Sequence, residues 1–300
     1  MQSWISRPVL PSSVFHNMAG SLATFLAIAA SALPAFGQDL DLSPRWQPEW
    51  SRFDTIDVGI SAASAAAALT LRFAMPAPAQ GWKEGLLFDD AVRDALRAND
   101  PFVRSTLSDF SDGLEIAFLL YPVVIDAGLV AGYGYGDAEL ATDMALMSVE
   151  AFLVSSVLVS ATKSLVGRVR PDASPCPEGG YACRSDTTRR SFISGHSASA
   201  FTSAGIMCAH HAHLALYGGG WADRGACIGA IGLAAVTGTL RVVSDRHYAT
   251  DVVAGAVVGF ATGYLVPTLL HYSGLNLFSD LGVVPAAPAE GRGLALAGWF

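Results

Sequence analysis

Charge is scarce in this chain. Only 15% of its 300 residues are Asp, Glu, Lys or Arg, against 52% that are hydrophobic. No stretch carries the basic stripe that a duplex-binding surface needs to displace counterions, and the net charge of −8 points the same way, so nucleic-acid partners are excluded. Cysteine is sparse as well, and four are too few for a disulfide framework. The strict polar and apolar alternation of barrel strands is also missing. What the chain has instead is long continuous apolar sequence, with a mean hydropathy of +0.40, the composition of a polytopic membrane protein. The acidic excess is concentrated around residues 87–94 and 136–143, leaving local positive charge over 168–190.

The first apolar stretch, residues 18–35, follows Arg7 and His16 and ends in AFGQ, where Ala35 and Gly37 satisfy the small-residue rule for signal cleavage. Residues 1–37 therefore read as an export signal or, at a length near the lower limit for spanning, an N-terminal membrane anchor. A polar linker (38–56) leads into a membrane domain (57–275) and a C-terminal tail (276–300) whose sequence suggests a short hairpin around Glu290–Gly293. Spans are expected near 58–75, 114–133, 141–165, 198–217, 226–243 and 252–270, the first the weakest because it is alanine-rich and interrupted by Arg72. Runs of this length satisfy the backbone in lipid only as helices, so the fold expected is all-α, a transmembrane bundle of about six spans with its site at one membrane face. Residues 82–107 read either as an amphipathic surface helix or as a solvated connector. Gly255, Gly259 and Gly263 recur every four residues and read as a helix-packing face.

Three polar clusters interrupt the apolar half: KSLVGRVRP (163–171), SFISGH (191–196) and RVVSDRHYATD (241–251). Charges placed beside membrane spans mark working sites. Lys163 and Arg170, two turns apart if the helix runs on to Pro171, form an anion clamp; a basic interfacial flank is the plainer reading. Ser194 and Gly195 precede an apolar helix, so the serine can cap it and free amides can face an anion, while His196 can donate a proton. His247 and Asp251 are four apart, which lets the carboxylate orient the imidazole and frees its other nitrogen as a nucleophile. Arg241 can hold a phosphoryl oxygen.

In order and spacing these clusters resemble the type 2 phosphatidic acid phosphatase and vanadium haloperoxidase superfamily, in its membrane lipid phosphatase branch. Lys163, Arg170 and Pro171 match its first motif, Ser194, Gly195 and His196 the second, Arg241, His247 and Asp251 the third. Ile193 and Leu240 replace the usual proline and serine. The resemblance implies that His247 attacks phosphorus, Asp251 orients it, and His196 serves the leaving group and water. It implies also that Lys163, Arg170, Arg241 and the amides near Ser194 and Gly195 hold the phosphoryl oxygens. No metal or cofactor is implied, and the substrate is an amphiphilic lipid phosphate or diphosphate. Alternatives are a phosphatase of small soluble phosphates, haloperoxidase-like chemistry, and a non-catalytic scaffold or transporter. The oligomeric state is not readable.

Cys176 and Cys183 bracket a Gly/Pro-rich loop between the first two clusters; they form a candidate disulfide if the loop faces an oxidising compartment, or free thiols otherwise. Cys208 and Cys227, in apolar runs, read as inert core thiols. His210, His211 and His213 lie at the far end of the span that His196 begins and are not read as a metal site, while Asp112, Glu115, Asp126 and Glu150 read as internally paired. All three clusters fall on one face. The resemblance and the Cys176 and Cys183 pair put that face on the outside of a bacterial-type cell membrane. A cleaved signal followed by six crossings, like the positive-inside rule, puts it in the cytoplasm, so the signal, the first span or the family sidedness must give way.

Overall fold

The computed structural model describes residues 44–78, 81–173, 186–275, 281–286 and 293–298. The proposed signal or anchor, and Cys176 and Cys183, lie outside them. Helix α1 (Thr55–Phe73) opens on a capping box: Asp54 accepts the Ile56 amide at 2.7 Å and Asp57 accepts the Asp54 amide at 2.8 Å. The short α2 (Asp89–Leu96) and the long α3 (Pro101–Leu120) follow. Helix α3 starts on Asp100 with proline in its first turn and runs on as a π-helix, Tyr121–Gly134. Next come α4 (Ala138–Val166), α5 (Gly195–Leu214), α6 (Gly220–Val243) and α7 (Ala249–Pro267), the last continued by a π-turn, Thr268–Tyr272.

Five of these segments are long and apolar enough to cross a membrane: Thr55–Phe73, Pro101–Gly134, Ala138–Ala173, Gly220–Val243 and Ala249–Tyr272. Their outward side chains, among them Val58, Ile116, Leu158, Ile228, Val236 and Val257, are exposed as lipid-facing residues are. The weak first span is thus a helix of spanning length. The sixth, α5, has 20 residues, about 30 Å. It carries four histidines and is mostly buried at the centre, packed on α3, α4, α6 and α7. The protein is a multi-pass helical membrane protein.

The glycine stripe explains how α7 approaches α5 so closely. A Cβ on Gly255 would stand 2.6 Å from the Ser194 carbonyl oxygen, and one on Gly259 or Gly263 would run into the Ala198 or Thr202 backbone. Small residues therefore set this contact, which van der Waals packing holds in lipid.

Three expectations change. Helix α4 stops at Val166, where Gly167 adopts φ +62°, so Pro171 does not end it and Arg170 lies beyond it. Residues 82–107 form only the short α2 and the start of α3. Cys208 and Cys227 are joined by a disulfide between α5 and α6, so they are not the thiols expected. At the C-terminus, β1 (Leu281–Ala286) and β2 (Gly293–Gly298) pair antiparallel, with Ala286 opposite Gly293, as the tail's hairpin pattern suggested.

Candidate active site

The end of α4, the starts of α5 and α7 and the end of α6 meet at one face of the bundle and bring the three clusters together. Lys163 is in the last turn of α4, and its Nζ would lie 3.2 Å from a Cβ on Gly195, so glycine leaves room for the ammonium. Arg170 is held on the following segment, donating from Nε to the Thr187 carbonyl at 3.1 Å and from Nη1 to that of Arg246 at 3.2 Å. Arg241, in the last turn of α6, donates from Nη1 to Ser111 Oγ and Asp112 Oδ1, each at 2.7 Å. His196, in the first turn of α5, has Nε2 2.7 Å from Asp112 Oδ1 and 3.0 Å from Glu115 Oε2. Arg170, His196, Arg241, Asp112, Thr187 and Arg246 are among the residues lining a cavity of about 540 Å³.

His247 lies behind these groups, 2% exposed, in the turn between α6 and α7. Its Nδ1 is 3.5 Å from Asp251 Oδ2 and 3.4 Å from Ser191 Oγ, which itself donates to Asp251 Oδ2 at 2.6 Å. Both neighbours face Nδ1, which leaves Nε2 for chemistry. Burial, then the nearby Arg170, Lys163 and Arg241 cations, push the imidazole well below its usual 6.5, so it stays neutral.

Asp251 is itself fixed from several sides. It accepts the Tyr248 amide at 3.0 Å and Arg168 Nη1 at 2.6 Å. Arg168 is fully buried, bridges on to Asp89 Oδ2 at 2.6 Å, and lies between the rings of Trp82 (4.3 Å) and Tyr248 (4.0 Å). Asp89, 1% exposed, also accepts the Thr250 amide, so α2 is locked to the start of α7. A buried arginine facing two carboxylates and two ring faces is a paired ion, although its Nε has no hydrogen-bond partner.

The sequence reading missed Arg168, Ser191 and Arg246. The last two lie inside clusters it singled out, so that position was the available signal; Arg168 lies in the first cluster but looks like any interfacial arginine until Asp89 and Trp82 are folded against it. Ser194 caps α5 as expected, accepting the Ser197 amide at 3.3 Å. Its own amide, however, donates to the Asp251 carbonyl at 3.0 Å, so the amide expected to face an anion is already bound. That of Gly195 has no backbone partner among the described residues. Asp126 and Glu150 are paired as expected, with His211 and His271 respectively. The three histidines near the C-terminal end of α5 do not converge: His210 meets Tyr272, His211 meets Asp223, and His213 bonds the Ala209 carbonyl.

His196, His247 and Asp251 thus gather with Lys163, Arg170 and Arg241 at one end of a helical membrane bundle, an arrangement suited to an anion. Residues 145–275, which hold all three clusters, match the PAP2 superfamily. Over 137 residues the chain is 33% identical to the lipid A 1-phosphatase of Porphyromonas gingivalis, a match covering 45% of this chain and 26% of that protein. This chain therefore spans about a quarter of that relative. The crystal structure of a transmembrane PAP2 type phosphatidylglycerolphosphate phosphatase from Bacillus subtilis aligns with a TM-score of 0.45 at 21% identity, covering 71% of this chain and 94% of that one.

Proposed function

We propose that the protein is a membrane phosphatase that hydrolyses a lipid phosphate or diphosphate monoester through a phosphohistidine on His247. The observation that carries this reading is the buried, neutral His247, its Nδ1 turned to Asp251 and Ser191, with Lys163, Arg170 and Arg241 around it. In the first step His247 Nε2 forms the bond to phosphorus while the bond to the lipid oxygen breaks, and His196 gives that oxygen its proton. In the second, His196 takes a proton from water, the water oxygen bonds to phosphorus as the bond from His247 Nε2 breaks, and phosphate leaves. Asp251 and Ser191 hold the ring; Lys163, Arg170, Arg241 and the Gly195 amide neutralise charge on the phosphoryl oxygens. Neither step draws on a metal.

The cavity opens where the spans end, the depth at which a lipid headgroup sits, and this favours an amphiphilic substrate over a soluble ester. The site faces the outside of a bacterial cell membrane in this reading.

Phosphate release from phosphatidate, a polyprenyl diphosphate, lipid A and a water-soluble ester, measured on detergent-purified protein with and without chelator, tests it. Release from an amphiphile that survives chelator and is lost in His247→Ala is expected. Full activity in that variant, release from the soluble ester alone, or no release from any of them overturns the reading.

A further inference from the structure

The bundle contains a second cluster of ionisable groups that the phosphatase reading does not use. Asp57, in the first turn of α1, Glu150, midway along α4, and His271, at the end of α7, are 7%, 0% and 1% exposed. One donor atom from each lies within 4.8 Å of the others. Along α4 this is about 20 Å from Lys163, towards the opposite membrane face.

Two features set the cluster apart from an ordinary buried ion pair. His271 is the only salt-bridge partner of Glu150 among the described residues, at 3.1 Å, and Asp57 has none among them. One imidazolium can neutralise one of two buried carboxylates, and the uncompensated one is costly in a span. In addition, Glu150 Oε1 is buried with no hydrogen-bond partner, as are the hydroxyls of Ser61 and Thr268, one turn along from Asp57 and His271. An unpaired carboxylate oxygen at full burial calls for a partner, and a cation is one that would serve it.

The histidine is arranged as a ligand would be. Its Nδ1 lies 3.2 Å from the Ser51 carbonyl oxygen, so Nδ1–H donates there, and Nε2 faces Glu150 at 3.1 Å, where a metal would take the place of the proton between them. Phe53 stacks on the ring at 6.1 Å and covers it.

We propose that Asp57, Glu150 and His271 bind one first-row divalent cation, Zn²⁺ foremost, which ties α1 to α4 and α7. Imidazole with carboxylates suits zinc, which at bond lengths of about 2.0–2.2 Å sets its donors about 3.3–3.6 Å apart, a contraction within reach of side-chain rotation. A divalent ion neutralises both carboxylates and occupies the place of the proton shared by Glu150 and His271. The role is structural, and the proposal does not depend on the phosphatase reading.

The test uses the full chain in detergent, without a polyhistidine tag. Metal content after Zn²⁺ loading and dialysis is measured beside thermal unfolding with and without Zn²⁺, for wild type, Glu150→Gln and His247→Ala. Expected is about one equivalent of retained zinc and a rise of about 5 °C in Tm for wild type and for His247→Ala, and loss of both in Glu150→Gln. Retention unchanged in Glu150→Gln, or lost in His247→Ala, overturns the proposal. If Glu150→Gln does not fold, Co²⁺ added to wild type decides: d–d absorption of tetrahedral intensity that Zn²⁺ displaces supports the site, and its absence overturns it.

Discussion

Asp112 Oδ1 lies 2.7 Å from His196 Nε2 and 2.7 Å from Arg241 Nη1, so a single carboxylate oxygen aligns the proposed proton donor with a proposed phosphate ligand. The Asp112→Asn chain keeps the shape and loses the charge that holds the two together. A fall in kcat of about 10–100-fold with KM little changed is expected. Steady-state kinetics on a lipid phosphate check this; unchanged kcat would show that Asp112 matters only in the empty site.

The depressed titration of His247 fixes the sign of a pH effect. Protonation removes the nucleophile, and burial together with Arg170, Lys163 and Arg241 delays it to below 6.5. The acidic limb of kcat/KM should therefore lie below pH 6.5. Arg170→Gln should move that limb to higher pH while lowering the plateau. The same group makes the fold less stable in acid, because the unfolded chain takes up its proton near 6.5 and the folded one does not. A pH profile of both chains decides; an acidic limb left in place by Arg170→Gln would show that this cation does not act on the nucleophile.

Arg168→Lys is expected to behave as a folding variant. A lysine cannot bridge Asp89 and Asp251 while lying flat between Trp82 and Tyr248. Breaking a buried ion pair of this kind costs about 3–5 kcal/mol. Tm in detergent should fall by several degrees, and activity with it, because Asp251 loses its anchor.

Gly259→Leu tests the close contact of α5 and α7. Its side chain would occupy the volume of the Ala198 backbone, so the helices must separate and carry His196 away from His247. Loss of monodisperse protein on size exclusion is the expected result, whereas Val257→Leu, on the exposed side of the same helix, should be neutral.

The three polar clusters were legible because charge is rare in this chain: Lys163, Arg170, His196, Arg241, His247 and Asp251 stand out where nearly every neighbour is apolar. What could not be read are relationships that need the helices' rotation about their own axes. Asp89 is 79 residues from Arg168 in sequence, and nothing local tells it apart from Asp90. Cys208 and Cys227 bond only because both face the seam between α5 and α6, a fact of azimuth that apolar sequence hides. The amide of Ser194 was assigned to an anion from its position ahead of a helix; the proximity of the Asp251 carbonyl is a tertiary fact.

The Cys208–Cys227 link has a mechanical meaning. It fastens α5 to α6 in the half of the bundle away from the phosphate cavity, whereas His196 and Arg241 sit at the untied ends of the same two helices. The pair is built like tongs riveted near the handle. Any parting of these two helices would be a swing about that rivet, in which His196 and Arg241, at the tips, move furthest.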